Sequence, residues 1–257
     1  MKTTNLKTAA ITALFGIGLL AGCTNSTTNQ KTSDMKTLNL TQEWDKTFPQ
    51  SDKVNHSKVT FTNRYGITLA ADMYVPKNAT GKLPAIAVCG PFGAVKEQAA
   101  GLYAQTMAER GFLTVAFDPS YTGESGGEPR YVVSPDINTE DFSAAVDFLA
   151  TNDKVDPEQI GIIGICGWGG LAINAAAADP RIKATVASTM YDMSRVNANG
   201  YFDADDSAEA RNALRKKLAV QRTEDFRNGF PKPGGGVPDE LPADAPQFFK
   251  DYHAYCK

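Results

Sequence analysis

Histidine is among the scarcest residues of this chain, with two in 257, His56 and His253. That leaves no imidazole cluster for a metal centre. The four cysteines, Cys23, Cys89, Cys166 and Cys256, fit neither a zinc motif nor the framework of a small disulfide-stapled domain. Basic blocks are missing too. With 26 Lys and Arg against 29 Asp and Glu, the formal net charge is −3, and no surface is marked out for nucleic acid. Internal repeats are absent, and low complexity is confined to a short tract near the start. What is present, 42% hydrophobic and 21% charged side chains, is globular composition with material for one good-sized core.

The single long apolar run lies at the start. Lys2 and Lys7 precede "AAITALFGIGLLAG", which is too short to span a bilayer as a mature helix and reads as a signal peptide over residues 1–22. It ends in Leu20-Ala21-Gly22-Cys23, which resembles a bacterial lipobox. The resemblance implies cleavage before Cys23, acylation of that residue, and attachment to the bacterial cell envelope, facing the periplasm or the exterior. Several acyl chains anchor firmly where one does not, at about 0.8 kcal/mol per buried methylene. Residues 23–36, polar and rich in Ser, Thr and Asn, read as a tether between lipid and domain.

Beyond the tether the pattern alternates. "SKVTFTNRYGITLAADMYVPK" reads as two strands around a Tyr65-Gly66 turn. "LPAIAVCG", "FLTVAFD", "QIGIIGI" and "IKATVAST" are strand-length apolar runs, and "KEQAAGLYAQTMAERG", "NTEDFSAAVDFLATN" and "LAINAAAAD" read as the helices between them. A leading hairpin followed by such alternation predicts an α/β fold over residues 37–193, its sheet mostly parallel with helices on both faces. Sites in such sheets lie beyond the carboxyl ends of the strands. Residues 194–257 read differently: a charged amphipathic helix, a Pro/Gly-rich loop and a closing "QFFKDYHAYCK", with no further strand.

Two stretches compete for the nucleophile elbow, the tight strand-to-helix turn usually written G-x-S-x-G. "GESGG" fits the letters through Ser125, but the glycines and Pro129 that follow make a loop, so Ser125 reads as a turn residue near the rim of the site. "GICGWGG" breaks the letters twice, with Cys166 and Trp168, yet it has a strand before it and a helix after it. Cys166 is the candidate nucleophile, since a thiolate is favoured at a helix N-terminus. An oxyanion would form beside the Gly167 amide, with a second donor from "GPFGAVKEQ" at Phe92 or Gly93; each donor is worth about 3–4 kcal/mol in a transition state.

The stretches "WDKTFPQSDKV", "NRYGITLAADMYVPK", "GPFGAVKEQ", "DPSYTGESGGEPR", "GICGWGG" and "STMYDMSRV" together resemble bacterial α/β-hydrolases related to dienelactone hydrolase. That resemblance implies hydrolysis of small esters or lactones through an acyl-enzyme on Cys166, with Phe92 and Gly167 at the oxyanion site and neither metal nor cofactor. Trp168 departs from the glycine of dienelactone hydrolase itself. The family carries its acid and histidine on two more strands after a helical insertion, and residues 194–257 read as that insertion, incomplete, with the last two strands missing. A bare sheet edge, lowered stability and poor solubility are then expected.

Within this chain, Asp192 and His253 preserve the order of acid and base and are the available candidates. His56 reads as structural or surface. Cys89 ends a strand neighbouring the elbow, so Cys89 and Cys166 are either two free thiols or a disulfide that masks the nucleophile. Two functions follow: a hydrolase acting through Cys166, or an inert or ligand-binding descendant of one.

Overall fold

The computed structural model describes residues 38–190, 192–232, 238 and 240–256. The signal segment 1–22, Cys23 and the whole of the tether lie outside them. The hairpin forms as β1 (Val54–Thr62) and β2 (Thr68–Pro76), antiparallel in register from Val54 opposite Pro76 to Thr62 opposite Thr68. Its turn is closed by Asn63, whose Oδ1 accepts from the Tyr65 and Ile67 amides, each at 3.0 Å.

Four more strands follow: β3 (Leu83–Cys89), β4 (Leu113–Phe117), β5 (Val155–Ile165) and β6 (Ile182–Ser188). The sheet order is β1-β2-β4-β3-β5-β6. β1, β2 and β4 pair antiparallel, whereas β4, β3, β5 and β6 are mutually parallel, so the predicted architecture holds. The connecting helices are α1 (Ala99–Ala108), α2 (Pro135–Ala150) and α3 (Gly167–Ala178).

Strand periodicity divides the core in two. Leu113, Val115, Phe117, Ile160 and Ile162 pack with Phe142, Leu149 and Leu171 of α2 and α3. Ile86, Val88, Ala116, Ile163 and Ile165 pack with Ala100, Ala104 and Ala108 of α1 on the opposite face. Each fully buried large side chain contributes about 1.5–3 kcal/mol.

Helix starts differ from the sequence reading. α2 opens at Pro135, earlier than Asn138, because Ser134 is its N-cap and proline suits the first helical position. α1 opens later than Lys96, because the Lys96 amide is held by the Asp118 carboxylate, 2.8 Å away. After β6 come α4 (Met193–Asn199), which the sequence pattern did not announce, a 3-10 turn (Tyr201–Asp203), α5 (Ala208–Asn228) and α6 (Gln247–Cys256). α5 is capped by Ser207 and stopped by Gly229 in the left-handed region, but none of its residues is buried, so the apolar face expected of it covers nothing among the described residues. No described strand follows β6, and no described helix is long and apolar enough to cross a membrane.

Candidate active site

β5 runs directly into α3, and Cys166 stands at the junction as the N-cap, with φ 58° and ψ −126°. Such a conformation costs a side-chain-bearing residue of order 1–3 kcal/mol and persists only where its surroundings impose it. The Cys166 N–H donates to the Ser188 carbonyl (2.9 Å), and its carbonyl accepts from the Gly169 N–H (3.0 Å). Gly164 leaves room for the turn: a Cβ there would meet the Trp168 carbonyl and lie 2.7 Å from Ala172 Cβ. Cys166 is half-buried and its thiol is free.

Gly167 begins α3, so its amide has no partner inside the helix. Phe92 faces it: a Cβ on Gly167 would lie 3.4 Å from Phe92 Cβ and 3.3 Å from Met193 Sδ. Phe92 belongs to the β3–α1 loop, where the Ala94 N–H closes a turn onto the Pro91 carbonyl (3.2 Å). Among the described residues, the amides of Phe92, Gly93 and Gly167 donate to no protein acceptor. Unspent N–H groups at a helix N-terminus suit a developing negative charge.

Trp168 is buried and meets the Phe92 ring edge-on, centroids 6.0 Å apart. It fills the space left by Gly90, where a Cβ would lie 2.8 Å from Trp168 Cδ1. The indole in place of a glycine therefore packs α3 against the β3–α1 loop.

Ser125 is buried in the turn after β4. Its Oγ donates to the Asp118 carbonyl (2.7 Å) and accepts from the Ala70 amide (2.8 Å), so it ties a turn to β2 instead of lining a rim. Cys89 ends β3 opposite Gly164 and is free, so the two thiols are not joined; burial pushes the Cys89 thiol well above its usual range.

Asp192 and His253 are not brought together. The Asp192 carboxylate caps α4, accepting from the Arg195 amide (3.0 Å) and the Ser194 hydroxyl (2.6 Å). His253 Nε2 lies 2.9 Å from the Pro238 carbonyl. Its helix does reach the β3–α1 loop, where Gln98 Nε2 donates to the Tyr255 carbonyl (2.9 Å).

Beneath that loop lies a charge cluster that sequence reasoning missed. Lys96 is almost wholly buried, with Nζ 2.5 Å from Glu97, 2.7 Å from Glu124 and 2.8 Å from Asp118. Lys58 reaches Glu124 (2.7 Å) and Glu97 (3.4 Å), and Lys46 reaches Asp45 (2.5 Å) and Asp72 (3.0 Å). His56 joins through Asp72 (2.7 Å), which makes it structural. Burial opposes the charge on Glu124, yet hydrogen bonds from Lys58 and Lys96 hold its carboxyl down to about 2. Burial likewise opposes the Lys96 ammonium, and Asp118 and Glu97 outweigh it, raising its pKa. Lysines in a polar stretch normally face solvent, so nothing in the local sequence signals this burial. Among the described residues no group of His, Cys, Asp or Glu is placed to hold a metal ion.

The strand order and the strand–Cys–helix junction define the class, an α/β-hydrolase fold. GrgF of Penicillium sp. sh18, a solved α/β-hydrolase, is similar at 26% identity with a TM-score of 0.57, over 68% of this chain and 56% of its own. Residues 65–229 match the X-Pro dipeptidyl-peptidase (S15) family, to which the chain belongs. Within that class the chain is similar to the uncharacterized protein PA2218 of Pseudomonas aeruginosa, 60% identical over 92% of this chain and 64% of that protein. The crystal structure of PA2218 matches with a TM-score of 0.79 at 63% identity, over 85% of this chain and 68% of the solved one. The uncharacterized YcjY of Escherichia coli K12 is 45% identical over 57% of this chain and 49% of its own. The thiohydrolase aneE of Aspergillus aculeatus is 35% identical over 52% of this chain and 41% of its own. The chain thus spans under two thirds of the length of these curated relatives.

Proposed function

We propose that this chain hydrolyses small carboxylic esters or lactones through an acyl-enzyme on Cys166. The observation that carries the reading is the strained Cys166 N-cap with the unspent amides of Phe92, Gly93 and Gly167 around it. The Cys166 thiolate attacks the carbonyl carbon, and the displaced π electrons settle on the oxygen, which the Phe92 and Gly167 amides receive. Collapse expels the alkoxide, which leaves as the alcohol after taking up a proton. Water then attacks the thioester and releases the acid. A relative named as a thiohydrolase fits the same acyl chemistry. His253 is the candidate base, on the helix that reaches the loop; Asp192, occupied in capping α4, is not assigned a part.

The test is release of p-nitrophenol from p-nitrophenyl acetate, with intact mass to detect one acetyl group on the protein. Cys166→Ala is expected to abolish both, and Ser125→Ala to leave the acetyl adduct on Cys166. Full turnover in Cys166→Ala would refute the reading, and absence of any adduct in the parent chain would favour an inert or ligand-binding protein. The same proposal includes acylation at Cys23 and residence in the bacterial cell envelope. Cys23→Ser is expected to move the protein from the membrane to the soluble fraction of cells.

A further inference from the structure

We propose that Lys96, gripped by Asp118 and Glu124, is the positioning residue for the oxyanion-donor loop. The inference rests on the reading of Cys166 as the acyl-carrying nucleophile.

Three hydrogen bonds between Pro91 and Gln98 are internal to the loop. Ala94 donates to Pro91, Gln98 donates to Val95, and Val95 donates to the Gln98 side chain. None of these fixes where the loop stands relative to α3. The polar hold from outside falls on three adjacent residues. The Glu97 carbonyl accepts from the Thr47 amide (3.0 Å) and its carboxylate pairs with Lys58 (3.4 Å), while Gln98 donates to the Tyr255 carbonyl (2.9 Å). The wholly buried hold is at Lys96, four residues after Phe92. The Lys96 amide donates to Asp118 Oδ1 (2.8 Å), while its Nζ donates to Oδ2 of the same carboxylate (2.8 Å) and to Glu124 Oε2 (2.7 Å). One carboxylate therefore fixes both the backbone and the side chain of Lys96. Asp118 directly follows β4, so the fixed point belongs to the sheet. Glu124 is fastened in turn, its amide to Asp118 Oδ2 (2.9 Å) and its other oxygen to the Thr41 amide (2.6 Å).

Stability alone is a poor account of this arrangement. A buried ion cluster replaced by packed apolar side chains is often neutral or more stable. Directionality is what it offers over an apolar plug. The Lys96 ammonium donates to Asp118 and to Glu124 and pairs with Glu97, so two directed bonds tie this point of the loop to residues outside it. An oxyanion donor displaced by about 1 Å forfeits most of its effect on the transition state.

The experiment compares two reactions of one thiol in the full chain. Acylation by p-nitrophenyl acetate forms an oxyanion. Alkylation by iodoacetamide displaces iodide at a saturated carbon and forms none. Glu124→Gln is expected to lower kcat for the ester about tenfold, with KM and the alkylation rate changed less than about twofold. Lys96→Met is expected to lower kcat by about a hundredfold or more. Should Lys96→Met fail to fold, Glu124→Gln decides alone.

An unchanged kcat in Glu124→Gln overturns the proposal. So does a parallel fall of acylation, alkylation and thermal stability, which is the signature of a merely structural role. Cys166→Ala run alongside separates the failures. If it keeps turnover, the nucleophile reading falls and takes this proposal with it. If it is dead while the network variants act like the parent, the positioning role alone falls.

Discussion

Cys166 keeps its left-handed backbone because everything around it leaves no alternative. Ser188 takes its amide, and Gly164 clears the path of α3. Gly164→Ala tests this. The new methyl would meet the Trp168 carbonyl and stand 2.7 Å from Ala172 Cβ, both in the packed first turns of α3. Overpacking of this kind costs about 1–3 kcal/mol or more, so the thermal midpoint is expected to fall by several degrees, measurable by circular dichroism. The elbow was legible in the sequence because a strand run, two glycines and a helix run are local signals that survive an altered motif. Lys96, Asp118 and Glu124 were not legible. Their burial is decided by chain segments far apart in sequence, and a lone lysine after Val95 carries no mark of what will cover it.

At the level of strands and helices, apolar runs announced β3, β4, β5 and β6, and the alternating pattern around Tyr65-Gly66 announced β1 and β2. Helix ends were less legible. A single side-chain contact moves them, as Ser134 does for α2 and Asp118 does for α1. α5 shows the opposite failure: its helix formers and caps specify the helix correctly, but they say nothing about what it packs on. With no buried residue, α5 is held chiefly by its own hydrogen bonds and opens at low cost. Limited trypsin is therefore expected to cut first between Ala208 and Asn228, at Arg215, Lys216, Lys217 or Arg222. The fragment containing the six strands is expected to survive. Mass spectrometry of the early products checks this, and first cuts inside the sheet would contradict it.

At the scale of the molecule, the segment before β1 is braced against the sheet by charges that water would normally claim. Lys46, Lys58 and Lys96 join the segment before β1, β1 itself, the β3–α1 loop and the turn after β4. Glu124 gives this bracing a pH dependence. Its folded carboxyl titrates near 2, below the ordinary 4.5, so its contribution is complete above about 4.5 and is lost as pH falls toward 2. Glu124→Gln is expected to flatten the acid limb of the stability curve between about pH 5 and 2 while lowering stability at neutral pH, followed by denaturant midpoints across that range. A parallel offset at every pH would contradict the assignment.

The same feature sets a timetable for synthesis. Thr41, Lys46 and Lys58 leave the ribosome early, but the carboxylate that receives both Thr41 and Lys58 is 66 residues behind Lys58. The part of the chain made first thus waits for Glu124 before it is fully fastened. A nascent chain paused before that point carries its leading segment only partly tied down, open to whatever receives proteins as they emerge.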